Sequence, residues 1–154
     1  MILLRAKLII GRITFWVTWP ALYFILHGTE RTRIILIANQ RVLLTRGTLS
    51  AGKWSLPGGG IHHGENVAVG ACRELYEELG IVLSADQLRD IGVETTHNSG
   101  IAYRAHFLIA KIDDCVRPMP SLEVAEAWWV PIPEVQNLRH DEATTRALEL
   151  FGTY

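Results

Sequence analysis

The chain has 154 residues, 49% hydrophobic and 20% charged, which suits one globular domain with its own core and excludes a disordered chain. With 15 Lys and Arg against 16 Asp and Glu, the net charge of -1 offers no basic footprint for a nucleic acid polymer, so a polyanionic ligand needs a local site or a metal. Cys72 and Cys115 are far apart and lack C-x-x-C spacing, which excludes a disulfide framework or a zinc knuckle and makes a reducing cytoplasm the expected compartment.

Residues 1–26 are the compositional outlier: 19 of the 26 are apolar, and the only charges are Arg5, Lys7 and Arg12. The charge-free run from Ile13 to Thr29 contains Pro20 and has an apolar part ending at Leu26, short of the roughly 20 apolar residues of a spanning helix. No small-x-small cleavage pattern precedes His27, so secretion is not expected. Helical periodicity gathers Ile2, Ala6, Ile9, Ile10, Ile13, Trp16 and Val17 on one broad side. Such a segment has to bury most of its circumference against the domain, a second subunit in a homodimer, or the membrane surface. The expected organisation is an apolar helical segment over 1–28 and a single domain over 29–154, cytoplasmic and, in the lipid alternative, peripheral to the membrane.

Next come two β-branched runs, Arg31 to Ala38 and Arg41 to Thr45, around Asn39-Gln40, which predict a hairpin. The stretch Lys53-Trp54-Ser55-Leu56-Pro57-Gly58-Gly59-Gly60 reads as a loop whose glycines permit close approach of a ligand. Residues 66–79 carry helical periodicity, with Ala68, Ala71, Cys72, Leu75 and Leu79 on one face and Gly80 just past the end. Residues 88–95, 101–112 and 128–131 read as strands, His97 to Gly100 as a turn, and Asp141 to Phe151 as a terminal helix. Strands and helices mix without a regular alternation. The expected class is α+β, an α/β/α sandwich around a mixed β-sheet.

The chemistry concentrates on the helix of residues 66–79. Glu74, Glu77 and Glu78 are spaced i, i+3 and i+4, so their carboxylates share a side opposite the apolar face. Each such like-charge pair costs about 0.2–0.5 kcal/mol unless a cation relieves it. Carboxylates converging on one point suit a hard divalent ion such as Mg2+ or Mn2+. Gly70, one turn before Glu74, is expected to leave space beside them, although glycine in a helix costs about 1 kcal/mol.

From Gly59 the chain reads Gly59, five residues, Glu65, seven residues, Arg73-Glu74-Leu75, one residue, Glu77-Glu78, one residue, Gly80-Ile81. This resembles the signature of the Nudix hydrolase family at every defined position. Together with Trp54 to Gly60 and Glu123 to Pro131, it makes most of residues 31–151 similar to one Nudix domain. The resemblance implies that Glu74, Glu77 and Glu78 bind the divalent ion with the Gly58 carbonyl as a further ligand. Arg73 would hold a box glutamate in its rotamer, and Glu65 would support the loop or the metal shell. It implies hydrolysis of the diphosphate linkage in a nucleoside diphosphate joined to another group, with the ion neutralising phosphate oxygens and a carboxylate taking the proton from water. Glu77 or Glu78 is the first choice for that base, and Glu123 and Glu126 are candidates outside the box. The expected partner is a small nucleotide or nucleotide derivative.

The remaining features carry less. His62 and His63 read first as exposed loop histidines, and the same holds for His97 and His106. Tyr103 and Arg104 meet substrate only if they face the cleft. Of Trp128 and Trp129, one is expected in the core and the other exposed as a stacking surface. Two rival readings keep the fold. One is an isoprenyl diphosphate isomerase, which the lone Cys115 does not recommend. The other is a non-catalytic sensor or membrane-associated module, which would not need all three box glutamates.

Overall fold

The computed structural model describes residues 27–48, 50, 52–98 and 100–152. In chain order these form β1 (Glu30–Ala38), β2 (Arg41–Gly47), α1 (Val67–Leu79), a 3-10 turn (Ala85–Gln87), β3 (Arg89–Asn98), β4 (Ile101–Lys111), β5 (Val124–Pro131), α2 (Ile132–Val135) and α3 (Glu142–Gly152). The sheet order is β3-β4-β1-β2-β5, with β1 and β4 parallel and the other neighbours antiparallel. The mixed sheet and its helical layers are those expected of an α/β/α sandwich.

β1 reads as an unbroken apolar run because both of its faces are covered. Ile35 and Ile37 join Val42, Leu44, Phe107 and Ile109 beneath the layer of Trp54, Leu56 and α3, where Ala143 and Ala147 are fully buried. Ile34 and Leu36 point the other way, joining Leu43, Leu108 and the α1 residues Ala71, Leu75 and Leu79. Successive side chains of a strand face opposite sides, so one tetrapeptide supplies both cores. The β1–β2 turn sets Asn39 at φ 46 and Gln40 at φ 58, the left-handed pair of a tight hairpin.

That hairpin opens almost at once. β1 and β2 pair only at Ile37–Val42 and Ala38–Arg41. Beyond that, the loop after β2 runs between the two strands. Thr32 N–H donates to Gly59 O at 2.8 Å and Ile34 N–H to Pro57 O at 2.9 Å, while Ile61 N–H donates to Glu30 O at 3.0 Å. On the other side Thr45 and Ser55 bridge. The glycine loop therefore occupies the place of a strand, and its backbone groups are satisfied by the sheet edge it fills.

α1 is closed by local chemistry at both ends. The Asn66 side chain accepts from Ala68 and Val69 N–H at 3.0 and 3.3 Å, and Gly80, left-handed at φ 66, donates to Tyr76 O at 2.8 Å. β5 starts at Val124, four residues before the strand expected at Trp128, because its first half pairs with Arg46 and Gly47 across a register shift. Trp128 is exposed, whereas Trp129 packs against the α1-side core and donates Nε1–H to Val116 O. Residues 1–26 lie outside the described residues. Among the described residues no helix is long and apolar enough to cross a membrane, and both cysteines are free.

Candidate active site

α1 presents its polar side to the glycine loop, and Arg73 ties the two together. A guanidinium has five N–H donors, and each has a partner here. Arg73 Nε donates to Glu65 Oε1 at 2.9 Å, and Nη2 donates to Glu65 Oε2 at 3.0 Å and Gly60 O at 2.9 Å. Nη1 donates to Glu74 Oε1 at 2.9 Å and Glu77 Oε2 at 3.1 Å. Glu65 Oε2 also accepts from His62 N–H at 2.9 Å. The bond from Arg73 and then that from His62 hold the Glu65 carboxyl down at about 2.

Two glycines are required by this packing. A Cβ on Gly59 would fall within the Glu74 carboxylate. A Cβ on Gly70 would sit 2.9 Å from Glu65 Oε2 and 3.1 Å from its Cδ. The space that Gly70 leaves is thus filled by Glu65, which corrects the expectation of an opening beside the box carboxylates.

Glu78 faces the loop from the next turn, with Oε2 accepting Gly58 N–H at 3.1 Å. Burial pushes its carboxyl up to about 7, against the pull of Gly58 N–H and Arg33, and the nearby Glu74 adds to the rise. The Gly58 carbonyl accepts from Arg33 Nη1 at 2.9 Å. Glu77 is more than half exposed. Glu74, Glu77 and Glu78 line one cleft of about 310 Å³ with Ser121, Leu122 and Glu123. The far wall is held by Met119 N–H and Ser121 N–H, which donate to Leu79 O and Glu78 O at 2.8 and 2.9 Å.

The sequence-expected residues thus divide. Glu65, Arg73, Glu74 and Glu77 form one hydrogen-bonded network, and Glu78 joins the glycine loop at Gly58. Glu123 lines the cleft with them, while Glu126 is paired with Arg46 at 2.9 Å. His62 and His63 are exposed, His97 is exposed near Glu142, and buried His106 lies 3.3 Å from Glu30. Arg104 pairs with Glu30 on the surface, and Tyr103 is buried. The strand reading of β1 passes over Arg31 and Arg33. Their signal is the i, i+2 spacing of two cations at the head of an apolar strand, which puts both on one face.

The donors on the cleft wall fit a hard divalent cation: they are carboxylate oxygens, with no thiolate or imidazole among them, while the Gly58 carbonyl is turned to Arg33. Among the described residues no three acidic, histidine or cysteine side chains close around a single point. Arg73 stands between Glu74 and Glu77 as their cationic partner.

Comparison with known proteins accords with this arrangement. The NUDIX domain family matches residues 28–151. A nucleoside triphosphate pyrophosphatase/Nudix hydrolase fusion protein of Bifidobacterium longum is 34% identical over 87 residues, 56% of this chain, and the chain spans 18% of that protein's length. A MutT-like protein of Streptomyces ambofaciens is 29% identical over 127 residues, covering 82% of this chain and 73% of the relative. The crystal structure of a MutT NUDIX hydrolase from Burkholderia pseudomallei superposes with a TM-score of 0.70 at 25% identity, covering 80% of this chain and 98% of the other. The chain belongs to the Nudix family.

Proposed function

We propose that the chain is a divalent-cation-dependent pyrophosphohydrolase that cleaves the diphosphate of a nucleoside diphosphate linked to another group. The observation that carries the reading is the convergence of Glu74, Glu77, Glu78 and Glu123 on one cleft beside the Gly58–Gly60 loop. Arg73 offsets part of the repulsion between Glu74 and Glu77, and a cation shared with the substrate's phosphates relieves what remains among the four carboxylates. Glu74, Glu77 and Glu78 would hold the ion, Mg2+ or in its place Mn2+, and the Gly58 carbonyl would join them by turning from Arg33. When bound, it neutralises phosphate oxygens and makes water a better nucleophile.

The chain's own residues do the rest. Arg73 and Glu65 fix the Glu74 rotamer and the loop, so that the carboxylates are set before substrate arrives. Glu78 and Glu77 are the first candidates for taking the proton from water, as carboxylates on the cleft wall. Glu123 remains a candidate base because it lines the cleft. The pairing of Glu126 with Arg46 assigns that carboxylate to the sheet.

The test is a panel of a nucleoside triphosphate, ADP-ribose, a dinucleoside polyphosphate and NADH, with product identification in Mg2+ and in EDTA. We expect Mg2+-dependent release of a mononucleotide from at least one of them. Glu77→Gln, which keeps size and removes charge on an exposed side chain, is expected to lower that turnover by about a hundredfold with an unchanged melting curve. No turnover across the panel would favour a ligand-sensing module, and full activity in the variant would move the metal site elsewhere.

A further inference from the structure

The start of β1 carries a charge arrangement that the carboxylate cleft does not explain. Arg31 and Arg33 lie on the α3 face of the sheet, and both guanidinium groups sit over the ring of Tyr103, at 5.8 and 5.5 Å from its centre. Arg33 is only 6% exposed and Tyr103 3%. Among the described residues neither arginine forms a salt bridge, whereas Arg46, Arg73, Arg104 and Arg146 each do. The Nε atoms of Arg31 and Arg33 are buried without a hydrogen-bond partner.

The two side chains are not equivalent. Arg33 is committed to the protein, donating to Thr32 O and Gly58 O at 3.0 and 2.9 Å and to the Tyr103 hydroxyl at 3.4 Å. Arg31 has the aromatic ring and a neighbouring cation. Burial, and then the charge of Arg33, weaken its hold on its proton, while Tyr103, Glu74 and Glu78 act in the other direction. Arg31 is half-buried with its Nε enclosed and, among the described residues, without an anion bonded to it, and guanidinium geometry is matched to phosphate oxygens. The loop that parts β1 from β2 brings Gly58 between this cation pair and Glu78, so one loop separates a cationic face from an acidic one.

We infer that Arg31 is a substrate-binding residue, receiving a phosphate of the diphosphate from the sheet side while the carboxylate cleft engages it from the α1 side. Arg33 and Tyr103 form the base on which its guanidinium rests. This deepens the hydrolase reading and rests on it for the identity of the ligand. The recognised chemistry is a phosphate oxyanion within a diphosphate.

Inorganic pyrophosphate is the probe, titrated calorimetrically into the full chain in Mg2+, with inorganic phosphate and a nucleoside as the comparison arms. Arg31→Gln is expected to weaken pyrophosphate binding at least about tenfold, to leave the melting shift produced by Mg2+ alone in place, and to raise KM more than it lowers kcat. Arg31→Lys should recover part of the loss. In the unaltered protein, pyrophosphate should protect Arg31 from modification by phenylglyoxal, mapped by mass spectrometry, which serves if the Gln variant does not fold. Equal pyrophosphate affinity and KM in a folded Arg31→Gln protein, or modification of Arg31 unaffected by pyrophosphate, overturns the inference. So does failure of the unaltered protein to bind pyrophosphate, or binding of the nucleoside alone with the same dependence on Arg31. Pyrophosphate binding that depends on Arg31 in a protein without turnover supports the phosphate site and overturns the hydrolase reading alone.

Discussion

Glu65 and Gly70 are a fitted pair: the carboxylate reaches Arg73 by passing over a helix position that has no side chain. Gly70→Ala brings two opposing changes. The helix gains about 1 kcal/mol of propensity, but the new methyl displaces Glu65 from Arg73. We expect a melting temperature that changes little, the propensity gain offsetting the lost Glu65–Arg73 pairing, with turnover down about ten- to hundredfold because the supporting partner is lost. Steady-state kinetics beside a thermal melt check this, and unchanged turnover contradicts it. The same region sets a pH dependence of stability. Glu65 has its folded value at about 2 against the usual 4.5, so its contribution is complete above 4.5 and is lost as pH falls through about 2. Glu78 runs the opposite way. Its carboxyl is raised to about 7, so folding favours the protonated form, and that stabilisation, full below 4.5, is lost as pH rises through 7. The protein in EDTA should therefore melt at lower temperature at pH 8 than at pH 5, and the upward shift given by Mg2+ should grow across pH 7. Glu78→Gln should flatten the EDTA profile, and scanning fluorimetry from pH 5 to 8 reads all three.

α1 is legible from sequence because its signals are local: Asn66 and Gly80 cap it, and Ala71, Leu75 and Leu79 recur at helical spacing. What holds it on the sheet is apolar burial, with Leu75 fully enclosed among Ile34, Leu36, Leu43 and Leu108. Leu75→Ala is expected to cost about 2–5 kcal/mol, read as a lower urea midpoint with unchanged slope. Because the box carboxylates ride on this helix, the Mg2+-induced melting shift should also shrink in that variant. The loop before α1 was a different problem. Composition marks Trp54 to Gly60 as a flexible ligand-approaching segment, and it does carry Gly58 and Gly59 to the carboxylates. Its place between β1 and β2, bonded to Thr32 and Ile34 like a strand, depends on partners more than 20 residues away, and no local pattern encodes it.

The chain as a unit is nearly neutral, so its attraction for a polyanion has to come from local fields: an acidic cleft on the α1 side and the Arg31–Arg33 pair on the α3 side. Both apolar layers are assembled from residues between Ile34 and Phe151, and the family match begins at residue 28. Removing residues 1–26 is therefore expected to leave one cooperative melt and Mg2+-dependent turnover. Vesicle sedimentation and sedimentation velocity on the full and shortened chains then assign that apolar segment to lipid or to a second copy. Loss of cooperative folding on truncation would instead make it part of the domain core.

Sequence alone determined the elements whose forces act within a few residues: the hairpin at Asn39-Gln40, the capped helix, and the glutamate spacing that gives the site its acidity. It also fixed the family resemblance, since the box is a contiguous pattern. Tertiary structure decided which of those acids share a cleft, that Glu123 joins them while Glu126 turns to Arg46, and that Gly70 makes way for Glu65. It alone revealed that two strand arginines meet over Tyr103, a residue 70 positions further on. The physical reason is range. Caps and helical periodicity depend on near neighbours, whereas charge pairing, desolvation and side-chain clearance depend on whatever the folded chain brings within a few ångströms.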